Sequence, residues 1–131
     1  MSTRKTKKKI LIVDDELYIL MALEFLFEQQ GYEVKKAMNG AEAIEVLENF
    51  KADVMILDVM MPVMDGFECA IKIRSDEKFY KMPIFFLTAK GENQDRAKAY
   101  ASGAEFFITK PFENEELVRM VNETVLIHHL K

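Results

Sequence analysis

The 131-residue sequence predicts a doubly wound α/β domain, a five-stranded parallel sheet with helices on both faces. Short apolar runs alternate five times with longer amphipathic stretches, the pattern of successive βα units. The first, third and fourth runs are almost continuously apolar, as parallel strands covered on both sides must be. The strands are expected at 9–13, 32–37, 54–57, 84–87 and 106–109. In the second, Glu33, Lys35 and Lys36 interrupt Tyr32, Val34 and Ala37, which suits a sheet edge.

Helices are expected between the strands. The first spans 16–30 and stops at Gly31, a suitable left-handed C′ residue. The second follows Asn39 as N-cap, with Ala43, Ile44 and Leu47 on one face. The third follows Asp65-Gly66 and carries Phe67, Ala70, Ile71 and Arg74. The fourth covers 93–102 and ends at Gly103. The fifth runs from Asn114 towards His128 on a stripe of Leu117, Val118, Val121, Val125 and Leu126. Pro83 and Pro111 fall at element boundaries, where a missing N–H does little harm. Right-handed crossovers then wind the chain into one domain over 9–128, preceded by a basic, flexible tail over 1–8.

Composition narrows the function. Half of the residues are apolar and the net charge is −4, which argues against nucleic acid as the main partner of this segment. No apolar run reaches the ~20 residues that span a bilayer, so no membrane role is expected. The single Cys69 has no internal partner, which suits a reducing cytoplasm. Arg4, Lys5, Lys7, Lys8 and Lys9 crowd the start and read as a solvated tail. The nine scattered methionines read as core filler.

In such a sheet, ligands bind at the carboxyl ends of the strands. The first strand ends in Asp14-Asp15, the third in Asp58, the fourth in Thr88 and the fifth in Lys110. Three carboxylates on one rim repel one another, and a divalent cation relieves the strain. An all-oxygen set with neither His nor Cys favours Mg²⁺ over zinc or copper. One carboxylate could then attack phosphorus, with Thr88 and Lys110 taking charge on the transferred oxygens.

As a set, Val13-Asp14-Asp15, Asp58 with Met61-Pro62 and Asp65-Gly66, Leu87-Thr88-Ala89 and Lys110-Pro111-Phe112 resemble the signature of response-regulator receiver domains. The resemblance covers about 9–125 and implies a flavodoxin-like (βα)5 fold. It implies that Asp58 accepts a phosphoryl group from a sensor histidine kinase or histidine phosphotransfer protein. It implies that Asp15, Asp58 and the Met60 backbone carbonyl hold Mg²⁺, with Asp14 acting mainly through water. It further implies that Thr88 and Lys110 bind the phosphoryl oxygens and that the Lys110–Pro111 peptide is cis. Catalysis would be self-directed, so no enzyme with outside substrates is expected. The face of helix four, strand five and helix five would carry the output, to a second copy, a downstream protein or an effector domain outside this sequence.

Phe107 occupies the family's switch-aromatic position; as phenylalanine it would signal through packing, and a static core aromatic is the alternative. Met60 and Lys90 stand where the family tunes the lifetime of its acyl phosphate. Neither orients an attacking water, so slow self-dephosphorylation is expected. In the first helix, Leu17, Leu20, Met21 and Phe25 add apolar surface beyond the stripe of Ile19, Ala22, Leu23, Leu26 and Phe27. Either a partner or the neighbouring elements would cover it. His128 and His129 diverge around a helix and suit its negative C-terminal end better than a metal.

Two rival chemistries fit less well. A Mg²⁺-dependent aspartyl-phosphate phosphatase wants a second Asp two residues after the nucleophile, where Met60 stands. A flavin or nucleotide site wants a small-residue phosphate loop after the first strand, where Asp14-Asp15-Glu16 would repel phosphate.

Overall fold

The computed structural model describes residues 7–89 and 93–129. The element order is β1 (Lys9–Val13), α1 (Leu17–Gln29), β2 (Glu33–Ala37), α2 (Gly40–Leu47), β3 (Val54–Leu57), α3 (Gly66–Arg74), β4 (Ile84–Thr88), α4 (Asn93–Ala101), β5 (Phe106–Thr109) and α5 (Asn114–His129). The strands form one sheet in the order β2-β1-β3-β4-β5, with every pair parallel. The expected edge position of β2 is met. Strand order reverses at β1, so a crevice opens where the chain turns from β1 towards β2 on one side and β3 lies on the other.

The two-residue strand period divides the core into two layers. Ile10, Ile12, Val54, Ile56, Phe85 and Leu87 meet Leu20, Leu23 and Phe27 of α1 and Leu117, Val121 and Val125 of α5. Leu11, Val13, Met55, Leu57, Ile84 and Phe86 face the opposite layer, with Ala43, Leu47, Ala70, Ile73 and Ala99.

Helix faces differ in detail from the sequence expectation. In α1 the buried line is Leu20, Leu23 and Phe27, spaced three and four residues apart, whereas Ala22 is exposed. Leu17, Tyr18, Met21 and Phe25 face outward, so among the described residues nothing covers them. In α5, Leu126 also turns outward; its neighbour Val125 takes the sheet-facing direction. In α3, Ile71 is exposed and Ile73 is buried. Methionine is not uniformly filler: Met55 and Met82 are buried, but Met21, Met38 and Met60 are exposed.

Local chemistry fixes the termini. Asn39 caps α2 by accepting from the Glu42 N–H at 2.9 Å. Asp65 and Glu68 form a reciprocal capping box at the start of α3. Gly31 and Gly103 have φ of +88° and +106°, and each follows a helix. His129 lies 3.2 Å from Asp53, tying the end of α5 to the turn before β3. The expected tail over 1–8 falls mostly outside the described residues, as does Lys90.

Gly66 positions α3 against the sheet. A Cβ there would collide with the Asp58 carbonyl oxygen and lie 2.7 Å from the Phe86 ring. Its N–H donates to the Val59 carbonyl at 2.9 Å. Gly66→Ala should therefore lose about 1–3 kcal/mol of stability, read from a urea denaturation midpoint. An unchanged midpoint would show that the loop after β3 yields freely.

Candidate functional site

Four strand ends meet in the crevice. Asp14 and Asp15 follow β1, Asp58 follows β3, Thr88 ends β4 and Lys110 follows β5. Carboxylate oxygens of Asp14, Asp15 and Asp58 all lie within 4.8 Å of one another, the one such group of potential metal ligands among the described residues. Asp14, Asp58 and Thr88 are buried at 2%, 6% and 1% exposure, while Asp15 is open to solvent.

The carboxylates are held by different partners. Lys110 Nζ donates to Asp14 Oδ2 at 3.0 Å and reaches Glu16 at 3.5 Å. The other Asp14 oxygen accepts the Glu16 N–H at 2.9 Å. Asp58 Oδ1 accepts the Val59 N–H at 2.9 Å, and the Thr88 side chain hydrogen-bonds the same carboxylate. In this arrangement the lysine ammonium pairs directly with Asp14, not with Asp58. The Lys110–Pro111 peptide is cis, as expected, and carries the chain from the end of β5 towards α5.

Burial and mutual repulsion dominate the electrostatics. Desolvation, with the Asp14 charge added, pushes the Asp58 carboxyl up to about 6 against the pull of Lys110 and its two hydrogen bonds. Desolvation also raises Asp14, despite the Glu16 N–H and Lys110. Burial alone would lower Lys110, but its bond to Asp14 and the charges of Asp14, Asp58 and Glu16 raise it instead.

This donor set fits a hard divalent cation. It offers three carboxylates, no His or Cys, and negative charge that a single ammonium does not balance. Met60, two residues after Asp58, is exposed, and its thioether is a poor Mg²⁺ ligand.

Phe107 is buried beside Phe86, with ring centroids 6.5 Å apart. Sequence reasoning missed Arg96, and it read Glu16 only as a charge that would repel phosphate, not as a partner of Lys110. Arg96 of α4 lies 5.0 Å over the Phe107 ring and donates to the Phe107 carbonyl at 3.2 Å. Arg96 belongs to no legible motif and is found only through its partner in space.

Known proteins agree with this architecture. The profile of the response regulator receiver domain matches residues 10–122. A probable transcriptional regulator, ycf29 of Porphyra purpurea, is 36% identical over 116 residues, covering 88% of this chain and 56% of the relative. The chain thus spans about half the length of the curated relatives it matches. The chemotaxis protein CheY4 of Vibrio cholerae superposes with a TM-score of 0.85 at 33% identity, covering 90% of this chain and 98% of that one. The receiver domain of the Pseudomonas aeruginosa sensor histidine kinase PA1611, solved with magnesium in its active-site cleft, gives 0.84 at 28% identity, covering 92% and 98%. With its five-stranded flavodoxin-like sheet and this profile along most of its length, the chain belongs to the receiver domains of two-component response regulators.

Proposed function

We propose that this domain is a cytoplasmic phosphorylation switch in which Asp58 accepts a phosphoryl group from the phosphohistidine of a sensor histidine kinase or a histidine phosphotransfer protein. One observation carries the reading: Asp58 lies buried at the end of β3, bonded to Thr88 and clustered with Asp14 and Asp15. An Asp58 oxygen attacks phosphorus, the phosphorus–nitrogen bond breaks, and the imidazole departs with the bonding pair. The Val59 N–H and the Thr88 side chain hold the Asp58 carboxylate in place for this attack. Thr88 and Lys110 take hydrogen-bonding positions on the transferred oxygens.

Asp14, Asp15, Asp58 and the Met60 carbonyl would hold Mg²⁺, Asp14 mainly through water. Bound there, Mg²⁺ supplies neutralisation of the charge on the rim and on the phosphoryl oxygens. Phosphorylation adds negative charge and draws Thr88 and its loop inward. Phe107 responds by repacking against Phe86 and Arg96, which reshapes the face of α4, β5 and α5. That face serves a second copy, a downstream protein or an effector domain. The printed name of the ycf29 relatives, and their greater length, favour an effector that acts in transcription. Catalysis stays self-directed, with no turnover on outside substrates.

Acetyl phosphate with Mg²⁺ should give one phosphoryl adduct by intact mass, absent from Asp58→Asn. An equal adduct on that variant would reject the reading. The adduct should also decay slowly, because neither Met60 nor Lys90 carries an acid or amide group suited to orienting a hydrolytic water. A half-life of only seconds in purified protein with Mg²⁺ would contradict this.

A further inference from the structure

The opposite pole of the sheet carries a second surface. A cleft of about 1540 Å³ opens at the amino ends of the strands. Residues distant in sequence line it with six lysines, Lys7, Lys8, Lys9, Lys51, Lys78 and Lys81. Two carboxylates are among the described residues that line it, and both already have partners. Asp53 accepts the Lys9 N–H at 2.7 Å and meets His129, while Glu105 pairs with Arg74 and accepts the Ile84 N–H. None of the six ammonium groups forms an ion pair with a described residue, although the net charge of the chain is −4.

The floor is apolar. Phe79, Met82 and Pro83 are buried beneath the lysines, and Tyr80 and Leu126 stand 51% and 59% exposed at the margin. Lys81 lies 5.5 Å over the Tyr80 ring, so this aromatic face is already occupied by a cation.

We infer that this cleft binds an extended peptide segment of a partner protein in which acidic and apolar residues alternate. Carboxylates meet the lysine rim while the intervening side chains rest on Phe79, Met82 and Leu126. The volume exceeds the roughly 300–1,000 Å³ of small-molecule sites. A bilayer needs a flat or convex face, which a cleft denies it. Single-stranded nucleic acid favours open aromatic platforms and arginine, and here the exposed ring is capped and the described residues lining the cleft include lysines and histidines but no arginine. The inference does not rest on phosphorylation of Asp58, which lies at the other ends of the strands.

Fluorescence anisotropy with the intact chain tests it. The probe is a fluorescein-labelled peptide of alternating glutamate and leucine; a glutamate–serine peptide, an oligothymidylate and phosphatidylserine vesicles serve as competitors. The leucine peptide should bind, weaken as salt is raised, and resist all three competitors. The double variant Lys78→Glu/Lys81→Glu should bind about tenfold more weakly or worse, corresponding to at least ~1.4 kcal/mol. Lys72→Glu, on the exposed face of α3 outside the cleft, should bind normally, and circular dichroism should show both variants folded. Failure to bind, equal binding of the serine peptide, preference for oligothymidylate or vesicles, or indifference to the double variant would each overturn the inference.

Discussion

Asp58→Asn is expected to stabilise the metal-free domain at neutral pH. The Asp58 carboxyl titrates near 3.8 when exposed and at about 6 in the fold, chiefly because burial disfavours its charge and Asp14 adds repulsion. The folded protein therefore holds this proton more tightly than the unfolded chain. Below about pH 4 both states are protonated and no penalty applies; between about pH 4 and 6 the unfolded chain ionises while the fold still holds the proton, so stability falls until the folded group ionises too, and the penalty is then constant. At roughly 1.4 kcal/mol per unit, the burden at pH 7 is about 2–3 kcal/mol. Urea denaturation in EDTA should show wild-type stability falling between pH 4 and 7, with the variant's Asp58 contribution to that slope gone. A wild type no less stable than Asp58→Asn at pH 7 would mean that Thr88 and Lys110 already offset the buried charge. Under the proposed reading, saturating Mg²⁺ should reverse the ranking, because a cation bound only to the folded wild type stabilises it.

The second large effect lies away from the crevice, at Arg74. Its guanidinium donates to the carbonyls of Gly103 at 2.6 Å, Met82 at 2.7 Å and Tyr80 at 3.1 Å, and pairs with Glu105 at 3.0 Å. Glu105 in turn accepts the Ile84 N–H at the start of β4. One planar fork thus joins α3, the 76–82 turn, the α4–β5 turn and the head of β4. Burial pulls the Arg74 pKa down and Glu105 pulls it up, with burial prevailing. Arg74→Ala strands several carbonyls and takes away one partner of Glu105, and should lose about 2–4 kcal/mol. Lysine at 74 cannot reproduce the fork and should recover only a minor part. Full recovery by Arg74→Lys in the same denaturation assay would show that charge alone matters there.

Periodicity made the scaffold legible. Strands with apolar residues at every position must be central and parallel, and Glu33, Lys35 and Lys36 could be tolerated only at an edge. Chemistry-bearing residues were legible because each ends a strand: Asp14, Asp58, Thr88 and Lys110 break apolar runs that had no packing use for them. Helix faces were less so. An apolar residue states a preference for burial, but only helix phase against the sheet decides whether Leu20 or Ala22, Val125 or Leu126, receives it. Pairings across the sequence were invisible for the same reason. Arg96 on Phe107, Lys110 on Asp14, and six lysines around one cleft each need the fold to bring distant residues together.

Chemical trapping offers the most direct measurement of where phosphorus goes. Borohydride reduces an aspartyl phosphate to homoserine, so peptide sequencing after treatment with acetyl phosphate and Mg²⁺ reports the acceptor by position. Homoserine should appear at 58 and nowhere else, and chelation with EDTA should abolish it. Homoserine at 14 or 15, or full labelling without the divalent ion, would contradict a magnesium-organised acceptor at the end of β3.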